Sequence, residues 1–214
     1  MISREDRKGI YDLTVELLPS VLEEIGFDAE EVAKIEDTEE IGHRFYNKFE
    51  VALSKRLIER DSRFSMPIKK AKSKSKGTRK MQDILFISDY INIKFGYDKN
   101  GQPNMCAFNK LIKKFSSNEI DSYWILSVDA KYNKVSFFNL YEHLDYTHTD
   151  LGPGQTMLQE RRFFNYFDQD KDYTISRNDV ILQMKEINRI ATKSLVERRE
   201  RQGTEREDIL NAAL

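Results

Sequence analysis

Two short runs dense in Ile and Phe, DILFI at 83–87 and YINIKF at 90–95, flank the turn-like SDY. β-branched and aromatic side chains fit a pleated, half-buried surface, so the segment 83–96 predicts a tight β-hairpin. Centred on Ser88–Asp89, the hairpin sets Asp83 opposite Lys94. Cross-strand partners share a face, as do residues two apart on one strand. Asp83, Asn92 and Lys94 therefore project from one face, and Ile91, Ile93 and Phe95 from the other. The apolar face is core. The polar face holds a carboxylate, an amide and an ammonium. Asp83 and the Asn92 oxygen suit a hard cation such as Mg²⁺. Lys94 is placed to hold an attacking water or to neutralise developing phosphate charge. The plain alternative is a cross-strand Asp83–Lys94 ion pair, worth about 0.2–1 kcal/mol on an exposed face.

Around this hairpin the 214 residues read as one domain. Ile10, Leu13, Leu17, Val21 and Ile25 recur at helical spacing and predict a helix over 5–26, stopped at Gly26. A short acidic helix is expected over 28–36. A longer one, Glu39 to Arg60, carries the stripe Ile41, Phe45, Phe49, Ala52 and Leu57. After the hairpin come a loop, a helix near 104–115, and strands over 122–130 and 134–141. LGPGQT reads as a rigid loop, and 156–167 and 176–200 as helices. The charged tail is expected on the surface or frayed. This order predicts an α/β layered domain around a small mixed sheet.

Charge narrows the partners. The net charge is −1, yet 66–80 reads MPIKKAKSKSKGTRK, with Lys69, Lys70, Lys72, Lys74, Lys76, Arg79 and Lys80 and no acid. A basic segment inside a neutral chain predicts one anionic partner met at one face, although such a segment is also simply a solvated loop. No apolar run approaches the roughly 20 residues of a membrane helix, and MISREDRKGIYDL is not a signal peptide. A soluble, cytoplasmic protein with no membrane partner is expected. The lone Cys106 excludes a disulfide framework and multi-cysteine zinc sites. No HExxH, P-loop or serine elbow is present.

Asp83 followed by Asn92-Ile93-Lys94 resembles the PD-(D/E)xK nuclease signature, an Asp on one strand and (D/E)-x-Lys on the next. The wider string INIKFGYDKNGQPN, a helix, then SYWILSVD is similar to type II restriction endonucleases, over roughly 45–160. Gln82 stands where the family's Pro is optional, and Asn92 where an acid is usual. The resemblance implies a restriction-endonuclease-like core and Mg²⁺-dependent hydrolysis of double-stranded DNA at a short specific sequence, with Mn²⁺ as a substitute ion. It also implies a helix glutamate near the metal. Glu50, on the helical line of Tyr46, Leu53 and Leu57, is the candidate for the missing carboxylate. Asp83, Asn92, Lys94 and Glu50 would be catalytic, with Asp83, Asn92 and Glu50 on the metal. The basic loop would meet backbone phosphates, and Gln102, Asn104 and Gln155 base edges. A homodimer on a palindromic site is expected, with the N-terminal helices and the 176–200 helix available for the contact. On this reading 1–214 is a single endonuclease domain: helical 1–65, basic loop 66–80, catalytic sheet region 81–145 and helical 146–214.

Two other classes compete. One is a non-catalytic nucleic-acid-binding module using the basic loop. The other is a Ca²⁺-binding interaction protein: Asp168, Asp170, Asp172, Thr174, Ser176 and Asp179 fall at EF-hand loop positions 1, 3, 5, 7, 9 and 12. Tyr173 at the glycine position and Asp179 in place of the long Glu weigh against Ca²⁺ there. In the bland version Ser176 or Asp172 caps the next helix.

Overall fold

The structure is a computed structural model that describes residues 2–35, 38–67, 83–96, 104–117, 122–146, 148–152, 155–159 and 175–212. Three helices open the chain: α1 (Arg4–Glu24), α2 (Ala29–Val32) and α3 (Thr38–Arg60). Ser3 caps α1 by accepting the Asp6 N–H at 3.1 Å, which satisfies one of the donors a helix start leaves open. A five-stranded sheet follows, formed by β1 (Phe64–Ser65), β2 (Ile84–Phe86), β3 (Asp89–Gly96), β5 (Trp124–Asp129) and β6 (Lys134–Asn139). Its order is β1-β2-β3-β5-β6, with β3–β5 parallel and the other pairs antiparallel. The α/β class and the small mixed sheet are as expected.

Both faces of this sheet are covered. Ile91, Ile93 and Phe95 share a core with Phe45, Phe49, Leu53 and Leu57 of α3 and with residues of α1. The Phe49 and Phe95 rings lie 4.6 Å apart. Ile125 and Phe138 face the other way, into a second core with Phe108, Leu111 and Phe115 of α4 (Phe108–Ser116). That core also takes Tyr141 and Leu144 of a 3₁₀ segment (Leu140–Tyr146) and Val180 and Met184 of α5 (Arg177–Ala212). α3 is thereby fixed across β3, which carries the candidate residues.

Several expectations are corrected. The helix near 104–115 is preceded by a strand, β4 (Asn104–Ala107), which pairs with β8 (Gln155–Gln159). β8 also pairs with β7 (His148–Gly152), so a second sheet of order β4-β8-β7 stands where a loop and the start of a 156–167 helix were expected. Short apolar runs such as TML have no period long enough to separate strand from helix. The last helix continues to Ala212 rather than ending near 200.

The hairpin register also differs from expectation. Ile84 pairs with Ile91 and Phe86 with Asp89, leaving a two-residue turn of Ile87 and Ser88. Asp83 is thus level with Asn92 rather than Lys94. A shift of two residues keeps every side chain on its own face, so the apolar pattern alone does not choose between the two registers. In the turn Ile87 has φ 56°, a left-handed conformation that costs an L-residue about 1–2 kcal/mol. Its N–H donates to Arg63 O at 2.8 Å while its side chain is 65% exposed. Ile87→Asn keeps the donor, suits positive φ and gives up only a minor part of its apolar surface to water. It should raise unfolding free energy by about 1 kcal/mol, seen as a higher urea midpoint; a lower one would contradict the turn geometry.

Candidate active site

α3 supplies Glu50. Its neighbours Phe49, Leu53 and Leu57 are buried, which leaves Glu50 and Tyr46, one turn earlier, half-buried along the edge of the stripe. The bend that leads into β2 supplies Asp83, immediately before Ile84. The Asp83 N–H donates to Ile91 O at 3.1 Å, the last rung on that side among the described residues. The next donor on β3, the Ile93 N–H, goes to Asp83 Oδ2 at 2.7 Å. Asp83 therefore substitutes for the strand partner that a longer β2 would provide, and it is only 8% exposed.

The Glu50 side chain hydrogen-bonds to Asp83, and its charge acts on the same carboxyl. Burial first, and the Glu50 charge second, push the Asp83 carboxyl up to about 7; the Ile93 N–H and Lys94 pull it down. Lys94 is half-buried, with Nζ 5.9 Å from the centroid of the Tyr46 ring. The Tyr46 hydroxyl reaches Ile93 O at 3.5 Å, a long contact. Glu50, Asp83, Lys94 and Tyr46 thus meet at the edge of β3 where β2 has ended.

Asn92 lies across from Asp83 in the hairpin register. It is 4% exposed and shares the Lys94 face, with Ile125 beside Asn92 and Ser127 beside Lys94 on β5. None of the influences on the Asp83 carboxyl comes from it. Tyr46 was not singled out as a functional residue in the sequence; its i, i+4 relation to Glu50 was the available signal.

The proposed DNA contacts are scattered or undescribed. Lys69, Lys70, Lys72, Lys74, Lys76, Arg79, Lys80 and Gln102 lie outside the described residues. Asn104 opens β4 and Gln155 opens β8, so both belong to strands and not to the loops expected. They sit at opposite ends of the β4–β8 ladder, where Asn104 pairs with Gln159. Of the Ca²⁺-type loop, 168–174 lies outside the described residues. Its ninth and twelfth positions form the cap of α5 instead: the Ser176 hydroxyl donates to Asp179 Oδ2 at 2.6 Å and accepts the Asp179 N–H at 3.2 Å.

The donor set suits a small hard cation. Two adjacent carboxylates, one pushed up to about 7 first by burial and then by the charge of the other, gain most from a positive charge between them. Asn92 Oδ1 is a neutral oxygen on β3, and its residue is buried. Those residues contain no group of three or more His, Cys, Asp or Glu, so a cation here would take its other ligands from neutral oxygens or water. Among known protein families no match to the chain was found, and none was found among curated proteins.

The electrostatics predict an opposed pH dependence. Between 3.8 and about 7 the folded Asp83 holds a proton that the unfolded chain releases, so stability falls as pH rises through that window. His143 has the opposite slope. Burial, then the Arg7 charge, lowers it from 6.5 to about 4, so stability falls as pH drops through that range. The two partly cancel in the parent protein. Asp83→Asn isolates the first, keeping an oxygen for the Ile93 N–H while removing the charge. In urea titrations with EDTA, the variant should exceed the parent by about 1–3 kcal/mol at pH 8 and match it near pH 4. An equal gap at both pH values would remove the raised Asp83 carboxyl from the account.

Proposed function

We propose that the chain is a Mg²⁺-dependent endonuclease of the type II restriction kind, hydrolysing phosphodiester bonds of double-stranded DNA at a short specific sequence. The observation that carries this reading is the pairing of the α3 carboxylate Glu50 with Asp83 at the end of β2, with Lys94 alongside. These are the helix acid, strand acid and strand lysine that the PD-(D/E)xK resemblance calls for. The covered sheet of mixed strands is compatible with a restriction-endonuclease-like core.

Asp83 and Glu50 would hold the cation, with Asn92 Oδ1 as a neutral third oxygen. A bound Mg²⁺ would stabilise the charge that develops on the oxygens of the phosphate. The chain's own groups do the remainder. The Ile93 N–H fixes the orientation of the Asp83 carboxylate. Lys94 carries a positive charge against the scissile phosphate and is a donor for the attacking water. Its position over the Tyr46 ring limits its rotamers, so its charge arrives already placed. The basic segment 66–80 would neutralise backbone phosphates, giving affinity that falls steeply with salt. A homodimer would match the two-fold symmetry of a palindromic site.

The test is cleavage of unmethylated phage DNA with Mg²⁺ and with EDTA. Discrete fragments with Mg²⁺ alone are expected. Lys94→Ala should lower the rate by at least about 100-fold while DNA affinity in EDTA changes little. A Mg²⁺-dependent smear would keep the hydrolytic chemistry and remove the specificity. Intact DNA under every condition, with Mn²⁺ also supplied, together with salt-sensitive binding, would make the chain a non-catalytic nucleic-acid module.

A further inference from the structure

α1 carries two apolar lines. Ile10, Leu17 and Val21 are buried in the core shared with α3 and the sheet. Val15, Leu18, Pro19 and Leu22, at i, i+3, i+4 and i+7, form the second and line one wall of a groove of about 520 Å³. The chain turns back at Gly26, φ 68°, so that the Phe27 N–H donates to Leu22 O at 2.9 Å and its ring joins the lining. That ring is held by Phe45 and Phe95, with centroids 5.3 and 5.9 Å away. Asn133, in the turn between β5 and β6, lines the groove from the sheet side. Val15 remains 43% exposed. None of the residues of the candidate active site takes part. An open groove beside apolar side chains at helical spacing is the geometry of helix-in-groove recognition.

Pro19 is the odd residue of this line. It lies inside α1 and has no N–H for the carbonyl one turn back, that of Val15. The groove wall therefore holds a backbone oxygen deprived of its helical donor. Other acceptors lie alongside. From Gly9 to Ala33 the chain has seven acids and no Lys or Arg. Glu16 and Glu24 pair with Arg60 and Arg56 of α3, and Asp28 caps α2. Asp12 and Glu23 form no ion pair among the described residues. Both are exposed and fall on the same side of the apolar line, eleven residues apart, about 16 Å along the axis. The cations across the groove are engaged elsewhere. Lys134 alternates with the core residue Val135 and so projects from the far face of the sheet, while Lys131 Nζ lies 5.5 Å from the Tyr132 ring centroid.

We propose that this groove docks a basic amphipathic helix of another protein. The partner's apolar side chains lie against Val15, Leu18 and Leu22, and its Lys or Arg side chains donate to Asp12, Glu23 and the Val15 carbonyl. The span between the two acids matches about three turns of helix. A polyanion would meet only acceptors and like charge along this line, so the face is not one for DNA. The inference goes beyond the preceding reading and stands whether or not the chain cuts DNA. The apolar line is only two turns long, less than a standard interface, so a reversible and salt-sensitive complex follows.

The test is ¹⁵N NMR of the full chain titrated with a synthetic amphipathic helix of Leu and Lys, and with its counterpart carrying Glu for Lys. With the Lys peptide, amide shifts are expected at Val15, Leu22, Phe27 and Asn133, with a dissociation constant on the order of 10⁻⁵ M at low salt. The Glu peptide should produce none. D12K/E23K changes exposed side chains only. It should weaken the Lys peptide at least about 10-fold and leave the rest of the amide spectrum in place. Val15→Arg should weaken it similarly by placing a like charge in the groove. No shifts at millimolar peptide would overturn the proposal, as would equal binding of the Glu peptide. Shifts confined to Glu30 and Glu31 of α2, or an affinity unchanged in both variants, would overturn it as well. The same amides moving with protein concentration alone would give the groove to a second copy and likewise overturn it.

Discussion

β3 runs eight residues, while the described β2 pairs with only its first three, and the Ile93 N–H lies beyond the end of that ladder. A buried N–H without an acceptor costs about 1–3 kcal/mol, so something must take it. Asp83 Oδ2 does, at 2.7 Å. That single bond fixes the direction of the chain at the start of β2 and brings a carboxylate into the sheet edge. It also sets the carboxylate within reach of Glu50. Most of the other features of the site follow from this early end of β2. The edge is open to Tyr46 and Lys94 because no strand continues there among the described residues.

The scaffold around this edge is stiff. β3 lies between β2 and β5, and Ile91, Ile93 and Phe95 pack on α3 while Ile125 of the neighbouring strand packs on the opposite core. Phe49 against Phe95 locks the rotation of α3 about its own axis. Glu50 is the next residue, so its direction is set by its neighbour's packing. Groups on regular elements with packed supports hold their geometry better than groups on loops. The potential DNA contacts have no such support in common: Asn104 and Gln155 belong to the smaller sheet, several residues apart along it.

What the sequence made legible, and what it did not, divides along physical lines. The α3 stripe was readable because five apolar positions at helical spacing leave one phase for the helix, and that phase put Glu50 at the border of the core. Face assignment in the hairpin was readable because alternation has a period of two. Register was not, since shifts of two residues satisfy the same alternation; the turn decided it, and an isoleucine at φ 56° is not a residue that announces such a turn. The second sheet was missed because its strands are four or five residues with no apolar period. The length of α5 was missed because beyond Ala191 it has no apolar stripe to read. Lys94 was identified by its place in a motif, but its position over Tyr46 depends on how α3 crosses β3, which is a tertiary fact.

A purely structural explanation of the site has to account for its cost. The Ile93 N–H needs an acceptor, and a neutral amide or hydroxyl would serve without burying a charge. A structural ion pair needs one acid and one base, which Lys94 and either carboxylate would satisfy. Instead two carboxylates are set side by side, and the buried one is pushed up to about 7. Two like charges in a site of low dielectric repel more strongly than in water. The arrangement is relieved either by a proton, as in the isolated chain near neutrality, or by a cation. The neutral Asn92 fits the same reasoning, because a third carboxylate would add repulsion to a site with one lysine nearby. The physical demand at the edge of β3 is for positive charge. Lys94 supplies part of it, and a cation held between the two carboxylates would supply the rest.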